Sequence, residues 1–150
     1  MPTRVLRHPA HIDALARLLS AARLPVTVSW VAGATRSSAQ NRLSHRWYDD
    51  IARQMGDRTT DEARAECKLG FGVPILCSEN EAFLLSWAQT FGALPYGARL
   101  AAVRTIDPPV TRLMTVAQMT AYLDAVQRHW TAAGVRLTDP DALKCEEEFR

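Results

Sequence analysis

Residues 36–55 read RSSAQNRLSHRWYDDIARQM, and their periodicity decides the fold class. Leu43, Trp47, Ile51 and Met55 recur every four residues, which makes one apolar stripe on a helix of about 3.6 residues per turn. The small, polar run before it, GATRSSAQN, offers Ser37 or Ser38 as an N-cap whose hydroxyl accepts from free backbone N–H groups. Gly56 and Asp57 supply the stop. The spacing therefore predicts a helix ending near Met55 and buried along one side.

Further helices follow on both sides of it. Thr59 and Glu62 stand three apart, the pattern of a capping box, and open a helix to about Leu69. GFGVPILCSEN, with Gly70, Gly72 and Pro74, reads as an irregular apolar connection, and Glu79 to Phe91 as a short helix. Pro95, Pro108 and Pro109 break the periodicity across residues 92–114. Thr115 and Gln118 form a second capping box, and Met119, Tyr122, Leu123, Val126, Trp130 and Ala133 give a sustained apolar face up to Gly134. Residues 138–150 read as a polar tail.

Upstream the pattern changes. Thr3–Arg7 reads as a short strand, Pro9–Arg23 as an amphipathic helix, and VTVSWV (Val26–Val31) as a β-rich alternating strand with Trp30 on its core side. The expected class is α+β: one domain over residues 1–150, mainly helical, with a small N-terminal β-α-β element.

Hydrophobic residues make up 47% and charged residues 23% of the chain, too apolar for disorder and ordinary for a globular protein. No apolar run approaches the roughly 18 residues of a membrane span. MPTRVLRHPAH lacks the apolar stretch of a signal peptide, and Cys67, Cys77 and Cys145 have no CxxC spacing. A cytoplasmic location with reduced thiols is expected. The net charge is only +2, but residues 1–47 carry seven arginines against Asp13 alone, whereas the last twelve residues are net acidic. A basic front half can attract phosphate, and it is equally compatible with a solvated Arg-rich surface.

On the central helix Arg42, Arg46 and Arg53 fall within about 40° of one another, opposite the apolar stripe. Arg36 precedes the helix, whose N-terminal N–H groups favour anions. Guanidinium forks match phosphate oxygens, so the strip suits a nucleic-acid backbone. Ion pairs to Asp49, three residues after Arg46 and four before Arg53, explain the same spacing. His45 and Tyr48 stand beside the strip, and Trp30 on the strand before it, as flat groups on which bases can stack, with the core as the alternative place for Trp30.

No catalytic motif is present: there is no HExxH, Walker lysine loop or GxSxG. Asp49, Asp50, Glu62 and Glu66 are the carboxylates that a metal-dependent nuclease or junction-cutting enzyme would use. A protein–protein adaptor using the basic patch is the third alternative. No metal site and no cofactor are expected.

The run Thr35–Gln54 resembles the R-S-x-x-Q-N-R segment and following aromatic-bearing helix of the NinB (Orf) recombination proteins of lambdoid phages. The likeness continues through DEARAECKLGFG (Asp61–Gly72) and a last amphipathic helix before a short tail, while FGVPILCSENEAF departs from the lambda-type pattern. Residues 36–72 carry most of it. The resemblance implies a phage or prophage recombination mediator, homodimeric and without catalytic activity. Such a protein binds single-stranded DNA without sequence specificity, contacts the host single-strand-binding protein and helps load the recombinase. It points to Arg36, Ser37, Gln40, Asn41, Arg42 and Lys68 as binding residues, beside His45, Arg46 and Arg53 of the strip.

Overall fold

The computed structural model describes Arg4, residues 6–30 and residues 38–142. Its backbone groups into two units, residues 1–32 and residues 33–150.

In the first unit, helix α1 spans Pro9–Ser20. Pro9 suits the first turn because its missing N–H has no intrahelical partner there, and the His8 side chain caps the helix by accepting from the Ala10 N–H at 3.2 Å. The helix is amphipathic as expected, yet none of its residues is buried. The expected β-α-β element is not seen. Residues 25–30 form no strand, and Trp30 is 85% exposed rather than on a core side. A two-stranded element needs a ladder partner and a covered face, and residues 25–30 have neither among the described residues. Arg4, Leu6 and Arg7 of the expected first strand form no strand either, and Thr3, Val5 and Val31 lie outside the described residues.

The second unit holds the core and is mainly helical over its described length. Its helices are α2 (Ser38–Met55), α3 (Thr60–Cys67), α4 (Val73–Glu79), α5 (Glu81–Thr90), α6 (Tyr96–Ile106) and α7 (Val116–Ala132). Helix α2 ends as expected at Gly56, whose φ of 72° needs no Cβ and whose N–H closes on the Ala52 carbonyl. Both capping boxes form, Thr59 with Glu62 on α3 and Thr115 with Gln118 on α7.

The segment expected to be irregular is instead helical. Lys68–Gly72 is a π-turn that runs from α3 into α4 without a break, and Pro74 follows directly on it at the second position of α4. Gly72 is needed for packing. A Cβ there would lie 2.7 Å from Val110 Cγ1, with Met114 and Tyr122 close behind. Between the prolines that obscure residues 92–114 lie α6 and a short 3-10 turn, Thr111–Leu113.

Leu43, Trp47, Tyr48 and Ile51 of α2 meet Met119, Tyr122, Leu123, Val126 and Trp130 of α7 and the small Ala63, Ala65 and Cys67 of α3 in one core. Each large apolar side chain buried there contributes on the order of 1.5–3 kcal/mol. Met55, at the C-terminal end of the stripe, is 36% exposed. No described helix is long and apolar enough to cross a membrane.

Candidate nucleic-acid interface

Burial of Leu43, Trp47 and Ile51 fixes the rotation of α2 and turns the opposite side to solvent. Arg42, His45, Arg46 and Arg53 are all exposed along it. Arg53 donates one guanidinium N–H to Asp50 Oδ1 at 3.1 Å while its side chain stays 72% exposed. Arg46 Nε reaches Thr138 Oγ1 at 3.4 Å. A guanidinium has five N–H donors, so neither contact turns the group away from solvent. The acid beside Arg53 is Asp50 and not Asp49, which accepts from the Thr60 hydroxyl at 2.9 Å and ties α2 to the start of α3.

His45 lies edge-on to Tyr48, ring centres 5.7 Å apart. Tyr48 itself is no stacking surface. It is 2% exposed, and its hydroxyl meets that of Tyr122 at 2.6 Å. Burial pushes the Tyr48 phenol up to about 12, against the lowering effect of the Tyr122 hydrogen bond.

The other expected residues divide three ways. Arg36 and Ser37 lie outside the described residues. Gln40 bridges two helices, its Nε2 donating to Val116 O at 3.2 Å and Thr120 Oγ1 at 3.0 Å at the start of α7. Asn41 sits in the second turn of α2, where its carbonyl accepts from Ser44 Oγ. Its Oδ1 is buried with no donor among the described residues. Lys68 is enclosed at 2% exposure, its ammonium donating to Asp107 Oδ1 at 2.6 Å and Pro108 O at 3.0 Å. Burial lowers its pKa, and Asp107, held low by that same contact, is shared with Arg64. Lys68 props the turn after α6 and does not belong to the exposed arginine face.

No family model, curated protein or solved structure matches this chain.

Residues far along the chain complete the face. Gly134, at φ 90°, turns the backbone out of α7, and residues 135–138 then lie along α2 as a strap. Trp47 Nε1 donates to Thr138 O at 2.8 Å. Asp50 Oδ2 accepts from the N–H and the hydroxyl of Thr138 at 2.7 and 2.6 Å. Gln54 exchanges two bonds with the Arg136 backbone, at 2.6 and 2.8 Å. Thr138, read from sequence as the start of a tail, is thus an anchor. The i, i+3/i+4, i+7 spacing of Trp47, Asp50 and Gln54 is a signal of this contact, but nothing local reveals its partner.

The four carboxylates considered for metal chemistry are separately engaged. Asp50 holds the strap, Asp49 holds Thr60, Glu62 holds the Thr59 N–H and Arg104, and Glu66 holds Arg58. Among the described residues no three His, Cys, Asp or Glu side chains gather as a metal site. The last two lie in a cleft of about 260 Å³ beside α6. Its charges pair across the cleft, and Arg58 lies 5.2 Å from the Trp130 ring centre.

Proposed function

We propose that this chain binds single-stranded DNA through its phosphate backbone, without sequence specificity and without covalent chemistry, as a recombination mediator of NinB type. The observation that carries the reading is the exposed rank of Arg42, Arg46 and Arg53 along α2, opposite a stripe anchored in the core. Always-charged forks on a rigid helix suit backbone contact, because a phosphate recurs at every nucleotide whatever the base. His45, exposed beside Arg42, adds a flat ring of the kind on whose face bases stack.

The recombination setting rests on the R-S-x-x-Q-N-R likeness. In that setting the protein acts as a homodimer in a bacterial host cell, contacts the host single-strand-binding protein and assists recombinase loading.

Titration of labelled oligothymidylate and a mixed-sequence strand at several salt concentrations tests the binding. Arg42→Ala with Arg46→Ala is expected to weaken both complexes alike, by about tenfold at moderate salt. It should also reduce the slope of log K against log salt by about 1.4, near 0.7 for each lost phosphate contact. Unchanged affinity in the double variant would remove the arginine face from the account.

A further inference from the structure

We propose that Arg136, on the strap, is a further phosphate-contacting cation of the α2 face. This deepens the single-stranded-DNA reading and rests on it. Arg136 is 82 residues from Gln54 in sequence, yet its backbone N–H and carbonyl are both bound by the Gln54 amide. Gln54 follows Arg53 directly. The next strap anchor, Thr138, is held by Asp50, the same carboxylate that binds the Arg53 guanidinium, and its hydroxyl is also reached by Arg46. The strap is thus pinned along the edge of the arginine row, with Arg136 level with the turn that carries Arg53.

Side-chain direction on the strap follows from burial. Val135, 4% exposed, points into the core, and Arg136 after it is exposed. Among the described residues no carboxylate forms an ion pair with the Arg136 guanidinium. Asp139, the nearest acid along the strap, turns its Oδ1 to the Asp141 N–H at 2.8 Å. A flexible arginine whose own backbone is clamped is a low-entropy way to add a charge to a row set by a helix. The geometry joins cations from opposite ends of the unit into one surface for a polyanion.

The test is the salt dependence of oligothymidylate binding by the full chain, with Arg136→Gln and Arg136→Lys. The contacts to Gln54 are made by the backbone, so both variants should keep the wild-type urea midpoint. Arg136→Gln is expected to weaken binding three- to tenfold and to reduce the salt slope by about 0.7, with Arg136→Lys restoring the slope. Wild-type affinity and slope in Arg136→Gln, alongside a weakened Arg42→Ala/Arg46→Ala protein, would overturn the role of Arg136 and leave the arginine face standing. Absence of binding by the wild-type chain would overturn both.

Discussion

Replacing Asp50 by Ala tests whether the strap is part of the folded unit. The carboxylate is 2% exposed and accepts three hydrogen bonds, two from Thr138 at 2.7 and 2.6 Å and one from Arg53 at 3.1 Å. A hydrogen bond to a charged acceptor contributes about 1.5–3 kcal/mol. The Arg53 contact adds at most about 0.5 kcal/mol, because that side chain is 72% exposed and solvent screens it. Opening of the strap to water returns part of the loss, since the freed Thr138 groups can be hydrated. The net expectation is about 2–4 kcal/mol. Thr138→Val keeps the backbone bond and removes the hydroxyl, for about 1 kcal/mol. Urea unfolding at constant m reads both. The double variant should fall short of additivity by about 1 kcal/mol, because the two changes remove one shared bond. A loss below about 0.5 kcal/mol for Asp50→Ala, or strict additivity with Thr138→Val, would refute the clamp.

Two further outcomes follow from the core. Gly72→Ala should lower stability by about 1–3 kcal/mol, because its Cβ would meet Val110 Cγ1 at 2.7 Å, whereas Gly70→Ala, with open space at its Cβ, should be neutral or stabilising; equal urea midpoints for the two variants would contradict the packing. Burial raises the Cys67 thiol from 9.0 to about 12 and the Tyr48 phenol from 10.0 to about 12. The folded state therefore keeps protons that the unfolded chain releases, so stability is full below about pH 9 and falls as the pH rises towards 12. Cys67→Ala should flatten the early part of that fall, and tyrosinate absorbance rising at the ordinary phenol pH in folded Tyr96→Phe protein, whose remaining Tyr48 and Tyr122 are both buried, would sink the argument.

Much of the second unit is legible locally. Capping boxes and glycine stops depend on residues three or four apart, so Thr59–Glu62, Thr115–Gln118, Gly56 and Gly134 could be read directly. The same holds for the α2 and α7 stripes and hence for the outward rank of Arg42, Arg46 and Arg53. The Gly70–Pro74 segment was obscure because its glycine serves a neighbour 38 residues away and its proline is carried by a helix that continues through a π-turn, and both look like breakers when isolated. Residues 26–30 show the converse, since β-branched alternation becomes a strand only where another backbone supplies the ladder.

From the order of residues alone came helices α1, α2, α3, α5 and α7 and the face of α2 that looks outward, because helical periodicity and caps act over one turn. Tertiary structure alone decided which polar groups serve that face. Lys68 and Gln40 are taken up by Asp107 and α7, while Arg136 and Thr138 are brought to α2 by Gln54, Trp47 and Asp50. Whether a polar side chain is spent inside or offered outside depends on partners far along the chain, and those exist only once the core has closed.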